Sequence, residues 1–158
     1  MSNYLLIKQG TIHNAIEEEP FVADILVENG KIKKIAPVLE GKIINDAEVI
    51  DAMGIDIYPG FVDAHCHMGL DGYATGFAGE DYNELGDPVT PQLSAVDAVN
   101  PQDETFQMAR EGGVTCVCTG PGSSNVIGGT FCAIKTYGKR VDDMLVKEKT
   151  AMKIAFGE

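Results

Sequence analysis

Tyr58-Pro-Gly-Phe-Val-Asp-Ala-His-Cys-His-Met-Gly69 decides how the rest of the chain is read. Pro59-Gly60 punctuates the chain, and Phe61 to His67 is a short apolar run ending in two of the three histidines. Successive side chains of a strand point to opposite faces, so His65 and His67 share one face and Cys66 takes the other. Two imidazoles at period two can hold one divalent ion, of the Zn, Fe or Mn/Ni type. The alternative for any His-x-His is a packed or solvated pair at a strand end. Here the Pro-Gly signal, the strand before it and the scarcity of histidine elsewhere favour metal.

Upstream of Pro59 the chain reads as short strands. Tyr4 to Ile7 is one. Asp24 to Glu28 and Lys31 to Ile35 flank Asn29-Gly30, a dipeptide suited to a two-residue type I′ turn. Glu48 to Asp51 and Ile55 to Tyr58 follow. A run of hairpins without a helix predicts a small all-β domain over residues 1–59, a sheet or a β-sandwich-like pair. His13 falls in a turn-like stretch with no partner nearby in sequence and reads as a surface residue.

Downstream, Met68 to Val99 is rich in Gly, Asp and Glu and broken by Pro88 and Pro91. So long a segment of weak periodicity is a functional loop or a misread element. Asn100-Pro101 predicts an N-cap with proline at the first helical position, and Gly112-Gly113 a stop. Val114 to Thr119 is a strand, Gly120 to Gly129 a glycine-rich loop, and Thr130 to Ile134 a strand. Lys139 to Lys149 carries Val141, Met144 and Leu145 at helical spacing, and Ala151 to Phe156 is a strand. This alternation predicts a parallel α/β sheet or barrel.

With 44% hydrophobic and 23% charged residues the composition is that of a globular protein. A net charge of −12 argues against nucleic acid or an anionic membrane as partner. No long apolar run or secretory leader is present, so cytoplasm is the default localisation. Cys66, Cys116, Cys118 and Cys132 lie in strand-like surroundings, which suits reduced, buried thiols. A thiolate pair at Cys116 and Cys118 is conceivable, but their apolar setting favours packing.

Pro59 to His67 resembles the signature that opens the catalytic barrel of the amidohydrolase superfamily. From about Leu5 to Glu158 the chain resembles the imidazolonepropionase-related branch, through Asp81 to Pro91, Glu111 to Thr115, Gly120 to Gly129 and Met152 to Glu158. The resemblance implies a (β/α)₈ barrel, of which residues 60–158 supply about four strands. Such a barrel takes at least ~200 residues, so the chain reads as the first half of a longer enzyme. It also implies hydrolysis of a C–N bond in an amide or cyclic amide by water activated on one or two divalent ions, zinc first among them. His65 and His67 are then metal ligands, and Lys153 is a lysine carboxylated to bridge two metals. From its own surroundings Lys153 is a lone charge among small residues, needing compensation or snorkelling to water.

Asp63 reads either as an acceptor orienting an imidazole or as a buried carboxylate satisfied by its neighbours. Ser123, Ser124 and Asn125 either donate to a substrate carbonyl or are turn residues. Asp71, Glu80, Asp81, Glu84 and Asp87 either favour a cationic substrate or form a solvated face. Two histidines leave a catalytic site short of three protein ligands, so no catalytic residue is assigned within the chain and the 158 residues alone are expected to be inactive. The expected partners are a small-molecule amide and, through exposed sheet edges, a second copy in a homo-oligomer. A metal-free scaffold is the alternative.

Overall fold

In the computed structural model, which describes residues 4–40 and 47–156, the chain divides at Pro59-Gly60 into two units. The first is a five-stranded sheet built around Tyr4–Ile12 (β1). Phe21–Glu28 (β2) pairs antiparallel with β1, and Lys31–Ala36 (β3) antiparallel with β2. The β2–β3 turn puts Asn29 at φ 52° and Gly30 at φ 74°, the left-handed pair that a type I′ turn requires. Glu48–Asp51 (β4) and Asp56–Ile57 (β5) lie parallel to β1.

The expected run of hairpins therefore stops after β3. Alternation along a strand says which residues face inward, but not which neighbour the strand joins or in which direction. β3 and β4 stand at opposite ends of the β3-β2-β1-β4 order, so β4 is not the hairpin partner of β3. The unit is one mixed sheet rather than a sandwich of hairpins. Leu6, Leu26 and Leu39 form one buried cluster, and Ile12, Ala23 and Ile25 another. Because Leu6 pairs with Leu26 and Ile7 with Ile25, the clusters occupy opposite faces of β1 and β2. The partners of His13 are distant in sequence: Nε2 lies 2.8 Å from Asp56 Oδ1 in an exposed contact, and the ring stacks on Tyr58 at 4.3 Å.

The second unit is a four-stranded sheet in the order β6-β7-β8-β9. Phe61–Cys66 (β6) and Val114–Thr119 (β7) are parallel, as the alternation predicts. Between them run a 3-10 turn at Gly76–Gly79 and the helices Ala95–Ala98 (α1) and Thr105–Glu111 (α2). α2 begins later than Asn100-Pro101 suggests. Asn100 Oδ1 accepts from Gln102 N and Asp103 Oδ1 from Thr105 N, so the segment makes turns before the helix starts. Phe106 of α2, 2% exposed, joins Leu70, Val99, Val117, Cys132, Ile134 and Met144 in the core of this unit. Burying such a ring contributes about 1.5–3 kcal/mol.

The expected fully parallel half barrel does not form. Ile127–Lys135 (β8) runs antiparallel to β7, and Leu145–Ile154 (β9) antiparallel to β8. The connection 120–126 is shorter than the dozen or so residues a parallel crossover needs, so the chain must turn back. The helix expected over Lys139 to Lys149 is one turn, Val141–Met144 (α3), after which Leu145 enters β9. Val141, Met144 and Leu145 do pack in the core, the first two from that one turn and Leu145 from the start of β9. The long segment before α1 is pinned to β8 by Thr90 N to Ile127 O at 2.7 Å and Thr130 N to Leu93 O at 2.9 Å.

Candidate metal centre

At the end of β6 the side chains separate by face. Cys66 packs against the core, where burial pushes its thiol pKa up, while His65 and His67 take the other side. Their ring centroids are 5.5 Å apart and nearly perpendicular, at 79°. His65 is exposed and His67 half-buried. Both rings meet Phe131 of β8, at 5.2 and 6.4 Å between centroids, so an apolar wall stands beside the pair.

His67 is the more tightly held. Its Nδ1 lies 2.6 Å from the carbonyl oxygen of Gly120, the residue after β7. A carbonyl only accepts, so Nδ1 carries a proton, and in the neutral form of the ring the lone pair is on Nε2. The Tyr82 ring stacks on the imidazole at 5.4 Å and 22°. Gly120 has to be glycine: a Cβ there would run into the Phe131 ring. One backbone position therefore lets Phe131 close on the histidines and also fixes a tautomer.

Asp63 Oδ1 accepts from the His65 backbone amide at 3.0 Å, so its observed partner is the strand rather than an imidazole. The β6–β7 register shifts between Asp63 and Cys66, which breaks the simple parity that would aim Asp63 with the histidines. Lys153 lies on antiparallel β9 opposite Gly129, not at the end of a fourth parallel strand. Its register neighbour Ala151 pairs with Phe131, so Lys153 shares the face of β9 that looks along Phe131.

In the glycine-rich loop, Asn125 is committed to protein partners. Its Nδ2 donates to the carbonyls of Glu84 and Asp87 at 2.7 and 2.8 Å, and Oδ1 accepts from Glu84 N at 3.1 Å. Ser124 is exposed, with its amide donating to Asn83 Oδ1, and Ser123 is half-buried. Asp71, Glu80, Asp81, Glu84 and Asp87 are all exposed, as a solvated face requires. Beside the loop lies an open cleft of about 250 Å³, lined in part by Tyr82, Asn83, Ser94 and Pro121.

All four cysteines are free thiols, and Cys118 Sγ lies 3.0 Å from Thr150 Oγ1. Among the described residues no three or more His, Cys, Asp or Glu side chains converge to hold a metal. The two imidazoles are of a donor type that suits a divalent ion, and two side chains are one fewer than the three protein ligands of a catalytic zinc site. Sequence reading missed Tyr82, Phe131 and the Gly120 carbonyl. Tyr82 and Gly120 sit inside motifs already singled out, but nothing in the spacing says that either touches His67.

No family model matches the chain. It is 35% identical over 116 residues to the amidohydrolase tasK of Hapsidospora irregularis, covering 73% of this chain and 12% of that protein. It is 43% identical over 83 residues to an allantoinase of Escherichia coli, covering 48% of this chain and 17% of that protein. The crystal structure of an amidohydrolase from Thermotoga maritima MSB8 superposes with a TM-score of 0.90 at 42% identity, over 98% of this chain and 39% of that one. The chain thus spans well under half the length of each of these proteins. Among the described residues no helix is long and apolar enough to cross a membrane. Over nearly its whole length, in sequence and in fold, the chain is similar to part of an enzyme of the amidohydrolase superfamily.

Proposed function

We propose that the chain is a portion of a metal-dependent hydrolase of C–N bonds in amides or cyclic amides, and that His65 and His67 are two of its metal ligands. The observation that carries the reading is the 2.6 Å contact of His67 Nδ1 with the Gly120 carbonyl, which can only accept, in a ring whose centroid lies 5.5 Å from that of His65. The relatives' names, amidohydrolase and allantoinase, support the reaction class. Within the superfamily, the imidazolonepropionase-related branch rests on the motif resemblance alone.

A divalent ion, zinc first, supplies a lowered pKa for water and polarisation of the scissile carbonyl. The chain's own residues then have separate tasks. His65 and His67 hold the ion, and the Gly120 carbonyl keeps the His67 proton on Nδ1. Phe131 keeps water from one side of the pair. Asp63 holds the His65 amide and so the backbone from which the ring projects. Lys153, once carboxylated on Nζ, would be a further metal ligand, on the support that it shares a β9 face with the partner of Phe131. Ser123 and Ser124 remain proposed substrate donors at the loop's edge.

Metal analysis of His65→Ala and Lys153→Met against the parent protein tests the reading. The expected result is loss of bound metal in His65→Ala and loss of one equivalent in Lys153→Met. Unchanged metal content in His65→Ala overturns the proposal, and unchanged content in Lys153→Met removes that residue from it.

A further inference from the structure

Two loops hold the His67 ring, and one buried side chain holds the loops together. The loop after β7 offers the Gly120 carbonyl to Nδ1, and the loop around Tyr82 stacks an aromatic face on the imidazole. Gly122 N donates to Tyr82 O at 2.7 Å, and Ser124 N to Asn83 Oδ1 at 3.3 Å. Next along the two loops comes Asn125, 1% exposed, whose amide makes three hydrogen bonds to the backbone of Glu84 and Asp87. Each of those bonds crosses from one loop to the other. A buried side-chain amide with both donors and its acceptor engaged defines one geometry, because any other leaves polar groups unmet.

We propose that Asn125 is a positioning residue for His67: it latches the 81–87 loop to the 120–125 loop and so fixes the carbonyl and the ring that set the imidazole's orientation and tautomer. The proposal rests on the reading of His67 as a metal ligand. A side chain that merely stiffens a surface loop would affect stability alone. A latch acting through His67 must also move the tautomer and the metal affinity.

Asn125→Asp keeps the shape but removes the donors and sets oxygen against two carbonyl oxygens. In metal-free, ¹⁵N-histidine-labelled protein, NMR is expected to show His67 passing from one tautomer to a mixture. Zinc affinity, measured by competition with a chromophoric chelator, is expected to fall about 10–100-fold, the usual effect of losing a group that orients a ligand. Thr136→Val is the control. It removes a buried hydrogen bond to the Val114 carbonyl, 3.0 Å long, outside the latch, and is expected to move neither readout.

Asn125→Asp with the parent's tautomer and affinity overturns the proposal, as does Thr136→Val moving both as far. Should Asn125→Asp fail to fold, Asn83→Ala decides, since it removes one latch bond at the half-buried rim. A smaller shift in the same direction upholds the latch, and parent values overturn it. A parent protein that takes up no zinc sinks the functional reading, while the tautomer still judges the latch.

Discussion

Cys66 and His67 are chain neighbours in opposite environments, and the same division by face governs the thiol behind them. Cys132 on β8 is fully buried, and burial, with added repulsion from Cys118, holds its pKa up to about 11 against an ordinary 9.0. The folded state therefore keeps a proton that the unfolded chain gives up first. Stability from this group is intact below pH 9 and is lost as pH rises toward 11. The melting temperature is expected to fall across that window, and Cys66, also shifted up by burial, adds in the same sense. In Cys132→Ala the fall should be shallower. Identical slopes in the two proteins would show that Cys132 does not carry it.

At the scale of elements, a lone charge in an apolar run was the most useful overlooked signal. Asp24 stands in Ala23-Asp-Ile-Leu26 of β2 at 1% exposure, accepting from Gln9 N at 2.9 Å and Leu39 N at 3.0 Å. Gln9, at φ 56°, lies where the β1–β2 register shifts, so the carboxylate closes that irregularity and anchors the chain beyond β3. Asp24→Ala is expected to destabilise the first unit by about 1–3 kcal/mol in denaturant unfolding, the cost of orphaned buried amides. A change near zero would mean that water satisfies both. The strands themselves were legible where alternation, a turn dipeptide and flanking glycines agreed, as at β2, β3, β6 and β7. Strand direction was not, because hydrophobic pattern is blind to it. The short connection 120–126 was the available sign that β8 must run antiparallel. The histidine pair was legible from period two, but its clamp was not. Tyr82 and Gly120 reach His67 through tertiary contact, which leaves no local pattern.

At the scale of the whole molecule, the second unit ends, among the described residues, in two strand edges, β6 and β9. Phe61 and Val62 on β6 are 59% and 67% exposed, and Ile154 on β9 is 61% exposed. Unpaired strand edges flanked by apolar side chains invite another strand. In a longer protein such as the Thermotoga maritima amidohydrolase, of which this chain covers 39%, further polypeptide can meet that demand. For a polypeptide of these 158 residues a second copy can supply the partner strand. Size exclusion with light scattering is therefore expected to report a mass well above the 16.9 kDa of one chain. A lysine on an edge strand opposes such pairing, so Val62→Lys or Ile154→Lys should lower the mass toward that of one chain. Whichever variant does so identifies the edge that pairs. A monomeric parent at tens of micromolar, or association that survives both substitutions together, would rule out edge pairing and leave these faces exposed without consequence for assembly.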